Sequence, residues 1–145
     1  MSRLMSVALT EQAVRERRKT VTRRLGWANL TPGTRLTLCR KVMGRKHADG
    51  TVEPLVRIAE VEVVSVRRER LWDITDDDVY AEGVDPARFE EHYTDTGQPT
   101  PQAWVAWFCE QMNVQPDAWV TRIEWRYLDP AEQLGITEGD PHGDR

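Results

Sequence analysis

The chain is expected to fold as a single α+β domain: a small barrel of mixed or antiparallel strands with short helices inserted between them. Three observations point there. Residues 35–40 and 118–128 alternate polar and apolar side chains with the period of half-buried strands. The helical stretches between such runs are short and irregularly spaced, unlike the long crossovers of a doubly wound sheet. A length of 145 residues suits one hydrophobic core and is short for two.

Taken in order, residues 4–9 are apolar enough for a first strand. Thr10 followed by Glu11 and Gln12 marks a helix start, and the helix is expected to run to about Arg18. Residues 19–24 carry Thr20, Val21 and Thr22 and favour extended structure. Thr31-Pro32-Gly33 is a turn leading into the strand at 35–40. Residues 43–54 read as a basic hairpin loop with a tight turn at Asp49-Gly50. The next strand, 56–66, has Val63 and Val64 adjacent, which breaks a strict period of two and predicts a bulge. Thr75 caps a helix whose first turn is Asp76-Asp77-Asp78, and Gly83 suits its end. Asp85-Pro86 opens a short helix through His92, residues 94–101 form a loop, and a helix over 102–112 carries Trp104, Trp107, Phe108 and Met112. The strand at 118–128 closes the domain at residue 128. Residues 129–145, acidic and rich in Gly and Pro, are expected to be a disordered tail.

No run approaches the ~18 apolar residues of a membrane span and no secretory signal opens the chain, so a cytoplasmic location away from membranes is expected. Cys39 and Cys109 fall in an expected strand and helix and read as buried thiols. His47, His92 and His142 are scattered, and the aspartate run at 76–78 is explained by the helix dipole, so neither a metal site nor a cofactor is expected.

The net charge of −4 conceals an asymmetry. Residues 1–70 hold 16 Lys and Arg against 7 Asp and Glu, whereas residues 71–145 hold 4 against 17. Either the halves neutralise each other within the fold, or the basic half meets an anionic partner and the acidic half offers a surface to a protein. The basic charge is densest at residues 15–24, Arg-Glu-Arg-Arg-Lys-Thr-Val-Thr-Arg-Arg, with six cations in ten positions. Forked guanidinium donors suit phosphate, and a lysine crowded by like charges or burial loses its proton more easily. A threonine hydroxyl is a nucleophile only when a base takes its proton. Trp27, just beyond the segment, is placed either to stack on a base or to pack at the core's rim.

Residues 17–24, Arg-Arg-Lys-Thr-Val-Thr-Arg-Arg, resemble the Gly-x-Lys-Thr-x-Thr-x-Arg signature of the ASCH domain family. The turn at Thr31-Pro32-Gly33 with Arg35-Leu36-Thr37-Leu38, the strand at 56–66, Ile74-Thr75, Ala81-Glu82-Gly83 and Val120-Thr121-Arg122-Ile123-Glu124 follow in the family's order. The resemblance covers roughly residues 4–128 and is closest to small stand-alone members found in phage and bacterial genomes. It implies a PUA-like barrel with a cleft that binds RNA or a modified nucleoside. Arg17, Arg18, Arg23 and Arg24 would contribute charge there, Thr20 and Thr22 hydrogen bonds, and Trp27 stacking. Some small members are amidohydrolases that remove the acetyl group from N4-acetylcytidine, using the signature lysine as base, a threonine as nucleophile and a glutamate as proton donor. Carried over, these roles fall on Lys19, Thr22 and Glu82, and Arg24 matches the signature arginine. Arg17 stands where the signature has glycine. Lys19 and Thr22 are three residues apart and would face opposite ways on a regular strand, so their cooperation requires a bend between them.

Overall fold

A computed structural model describes residues 2–40, 47–52, 54–89 and 97–133. Five strands form one sheet: β1 (Arg3–Ser6), β2 (Val21–Arg24), β3 (Arg35–Cys39), β4 (Arg57–Arg70) and β5 (Trp119–Tyr127). Their spatial order is β1-β3-β4-β5-β2, with β1 parallel to β3 and every other pair antiparallel. The α+β class and the mixed sheet are therefore as the sequence predicts. The sheet curls into a half-barrel, because the Arg24 guanidinium on one edge strand donates to the Ser6 carbonyl on the other. The expected bulge is present: Val63 opposes Trp125 and Ser65 opposes Glu124, so Val64 is the extra residue.

Among the described residues four short α-helices decorate the sheet: α1 (Glu11–Arg15), α2 (Asp76–Glu82), α3 (Pro101–Met112) and α4 (Pro130–Gln133). Thr75 and Thr100 cap α2 and α3 by accepting the amides of Asp78 and Ala103. Thr10 precedes α1 but makes no side-chain cap. α1 also stops earlier than the pattern suggests. Arg17 takes a left-handed backbone conformation, φ 59°, and the amides of Arg17 and Arg18 turn back to the carbonyls of Val14 and Ala13. That is the Schellman closure, in which glycine is the usual left-handed residue. β4 is longer than expected, and a short 3-10 turn at Leu71–Asp73 links it toward α2.

The hydrophobic interior has two parts. Inside the curl, Met5, Val14, Leu36, Leu38, Val61, Val63, Ile123 and Trp125 pack together. On the other face, Leu71, Val79, Val84, Phe89, Trp104, Val105, Phe108 and Val120 join α2 and α3 to the sheet. β5 serves both cores by alternation, Ile123 and Trp125 on one side and Val120 on the other. Trp119 at the start of β5 is half exposed and lies under the Arg70 guanidinium. Cys39 is buried, whereas Cys109 is only partly so.

Asp49-Gly50 does form a tight turn, with Gly50 at φ 91° and its amide bonded to the His47 carbonyl. The rest of the basic loop at 41–46 and 53, and the expected helix beyond Phe89 to His92, lie outside the described residues. The tail expected from 129 starts with structure. In α4, the Glu132 carboxylate accepts from Arg126 at 2.7 Å and its carbonyl from Arg35 at 2.7 Å. Residues 134–145 lie outside the described residues. No helix among the described residues is long and apolar enough to cross a membrane.

Candidate functional site

The two edges of the curled sheet do not close on each other, and α3 covers the gap. The result is a cavity of about 190 Å³. Ser6 to Thr10 line it after β1, Thr22 and Arg24 from β2, and Glu82 and Val84 from the end of α2. Trp104, Trp107 and Phe108 of α3 supply an aromatic wall. Its size is below the ~300–1,000 Å³ of a drug-sized pocket and above the ~150 Å³ that holds a benzene ring. One planar ring with a small substituent fits it.

Lys19 sits at the floor, 2% exposed. It precedes β2 and its side chain runs forward along the strand. The Nζ donates to the Val21 carbonyl at 2.9 Å, the Glu82 carbonyl at 2.7 Å and Glu82 Oε1 at 3.2 Å. The backbone is held just as firmly. The Thr20 amide donates to the Ala81 carbonyl, and the Lys19 carbonyl accepts from Trp125 Nε1 at 3.1 Å and from the Tyr127 hydroxyl. Because β2 starts at Val21, strand alternation does not separate Lys19 from Thr22, and both reach the same cavity. Burial pushes the Lys19 ammonium below its usual pKa, with the Glu82 carboxylate partly opposing.

Arg23 is the second buried cation. Its guanidinium takes Glu82 Oε2 at 3.0 Å, Glu69 Oε2 at 2.8 Å and Asp78 Oδ2. Asp78 also accepts two bonds from Arg122, at 2.6 and 3.0 Å. The reason lies in the register: Arg23 opposes Arg122, and Arg122 opposes Arg67, so three arginines cross the sheet in one row. Like charges directly opposite are unfavourable, and the carboxylates of Glu69 and Asp78 intervene between them. The two arginines hold the Asp78 carboxyl down at about 2. Asp78, Glu69 and Arg122 carry no local motif that marks them, because their meeting depends on strand register.

Of the residues singled out in the sequence, Lys19, Thr22, Arg23, Arg24 and Glu82 line this cavity together. The Arg24 Nε donates to Thr22 Oγ1 at 3.4 Å. Arg23 commits four of its five N–H donors to carboxylates. The other expected residues lie elsewhere. Arg18 pairs with Glu16 at 3.0 Å, and Arg17 lies over the Tyr127 ring. Thr20 is fixed in backbone pairing, and Trp27 packs against the inner core beneath the Arg3 guanidinium. The aromatic wall was legible only as a helical stripe of core residues. Within it Trp104 keeps a buried indole N–H without an acceptor among the described residues. No cluster of three or more metal-ligating side chains occurs among the described residues.

No family model matches the chain, and no curated protein matches it. Solved structures do. Protein EF3133 from Enterococcus faecalis, of family DUF984, is 13% identical, with a TM-score of 0.52 over 100% of this chain and 86% of that one. An ASCH domain from Lactobacillus crispatus is also 13% identical, with a TM-score of 0.46 over 81% of this chain and 69% of that one. The likeness to EF3133 is one of fold, a curled mixed sheet with inserted helices.

Proposed function

We propose that the protein is a small amidohydrolase that removes an acyl group from the exocyclic amine of a ring such as a nucleobase. The observation that carries this reading is the opening of Lys19, Thr22 and Glu82 onto one ring-sized, aromatic-walled cavity. The Lys19–Glu82 pair is buried, with Nζ 3.2 Å from Oε1, and the mechanism assigns the pair one proton. With that proton on Glu82, the Lys19 lone pair accepts the Thr22 proton as Oγ attacks the acyl carbon. Glu82 then protonates the departing ring amine and leaves an acyl-threonine ester. Water attacks the ester, Glu82 takes its proton, and Lys19 returns a proton to Thr22. The net reaction is amide plus water to amine plus carboxylic acid, with all three side chains restored. Arg24, donating to Thr22 Oγ1, favours the developing negative charge there.

The second reading is a cleft that holds a modified nucleoside or an RNA base without cleaving it. It is favoured by the three acceptors around the Lys19 Nζ, which suit a fully protonated amine. Incubation with N4-acetylcytidine and chromatography for cytidine separates the two. Hydrolysis is expected, and Lys19→Ala, Thr22→Val and Glu82→Gln are each expected to lose about 100-fold or more in kcat. Saturable binding of N4-acetylcytidine without turnover would leave the holding function alone, and neither binding nor turnover would remove both for this ligand.

A further inference from the structure

A second concavity lies between α1, the start of β4 and α4. It measures about 320 Å³ and shares no lining residue with the aromatic cavity. Its polar wall is made by Arg15, Arg17 and Arg57, against one carboxylate, Glu60. Glu60 is engaged through Oε1, which accepts from Ser2 at 3.0 Å and from Thr37 at 2.9 Å. Arg15 shares Glu11, at 2.9 Å, with Arg40. Arg17 and Arg57 have no carboxylate partner among the described residues, although Arg18, Arg23, Arg40, Arg67, Arg122 and Arg126 all have one. Arg24, Arg35, Arg68 and Arg70 also lack a carboxylate but donate to a carbonyl or hydroxyl oxygen, whereas Arg17 and Arg57 donate to no acceptor among the described residues and line one hollow.

The backbone adds a second argument. Arg17 occupies the left-handed position that closes α1, where glycine would carry no strain. A long cation is kept there at a conformational cost, and its guanidinium lies 5.4 Å from the Tyr127 ring centroid, which fixes its direction. Stacked guanidinium groups retain their in-plane N–H donors, which match the oxygens of a phosphate.

We propose that this hollow is a phosphate-binding site, with Arg17 and Arg57 as its principal donors and Arg15 as a third. The proposal does not rest on the hydrolase reading, since no residue of the aromatic cavity takes part. The phosphate belongs either to a phosphodiester backbone or to a small phosphorylated molecule, and the test distinguishes these sources.

Arginine Nε–Hε resonances are followed by NMR at low salt while the full chain is titrated with inorganic phosphate, with cytidine monophosphate, or with a short RNA oligonucleotide. The Arg17 and Arg57 signals are expected to shift saturably, and those of the carboxylate-bound Arg23 and Arg122 to stay in place. Tighter binding of the oligonucleotide than of the monophosphate identifies a backbone phosphate, and the reverse a small ligand. Arg17→Gly and Arg57→Gln are each expected to weaken binding about tenfold. For the oligonucleotide each is also expected to lower the salt slope by about one. Arg17→Gly is expected to keep or raise the melting temperature, because glycine accepts the left-handed backbone, so its loss of binding is not a loss of fold. No saturable shift with any of the three ligands, or shifts of equal size in both variants, would overturn the proposal.

Discussion

Lys19 illustrates how a charge is kept inside a small protein and made useful there. Burial costs its ammonium form, and only the carboxylate and two carbonyls around it make the site tenable. In the proposed hydrolysis the Lys19–Glu82 pair works with one proton between its two groups, so kcat/KM is expected to fall as the pH rises through the Lys19 pKa, where that proton leaves and Glu82 can no longer protonate the departing amine. Burial puts that pKa below the ~10.4 of a free lysine, and the fall is expected to be absent in Lys19→Ala when residual activity is followed across the same range. Asp78 has the opposite sign. Its depressed pKa, about 2, means that the stability it contributes is complete above the ~3.9 of an unfolded aspartate. It is lost as the pH falls toward that depressed value. Asp78→Asn is expected to cost about 3 kcal/mol in urea unfolding at neutral pH and to flatten the acid limb of the stability profile. An unchanged acid limb would show that other carboxylates govern acid unfolding. Lys19 and Thr22 could be singled out in the sequence because one short motif carries both, and Glu82 because Ala81-Glu82-Gly83 follows it in the same order. The commitment of Arg23 was not legible, since its carboxylate partners lie 46, 55 and 59 residues away.

At the scale of elements, the site depends on how two helices end. α1 closes through the left-handed Arg17, and α2 closes through Gly83 at φ 77°. The two ends meet. A Cβ on Gly83 would come within 2.7 Å of the Ala13 Cβ and 3.0 Å of the Lys19 Cβ. Gly83→Ala therefore meets both a backbone penalty and a packing clash, together about 2–4 kcal/mol. Chemical denaturation is expected to show that loss. In whatever fraction remains folded, ligand binding in the cavity is expected to weaken, since relief of the clash displaces either Lys19 or Glu82. Full stability in this variant would mean that α2 shifts freely against α1. The end of α2 could be read from sequence, because glycine after an acidic, capped segment is a strong stop. The end of α1 could not, since an arginine gives no sign that it will adopt a glycine-like conformation.

Over the whole molecule, the basic first half and the acidic second half meet most closely at the site, where Lys19 and Arg23 pair with Glu82 and Arg23 with Asp78. Among the described residues, Arg15, Arg17 and Arg57 of the basic half gather in the hollow beside α1. The overall architecture was legible because alternation and turns define its strands. The curl was not, because it depends on edge strands separated by three others. One side chain bridges those edges: Arg24 on β2 reaches the Ser6 carbonyl on β1. A hydrogen bond from a charged donor is worth about 1.5–3 kcal/mol, and here it acts only on strands that have a single neighbour in the sheet. Arg24→Leu is expected to keep most of the buried packing and to lose that clasp. Backbone amide exchange is then expected to accelerate in β1 and β2 while β4 and β5 stay protected, because local opening of the edges does not require the central strands to separate. Equal acceleration throughout would show that the clasp stabilises the sheet as one unit. Unchanged exchange in β1 and β2 would show that the inner core alone holds the curl.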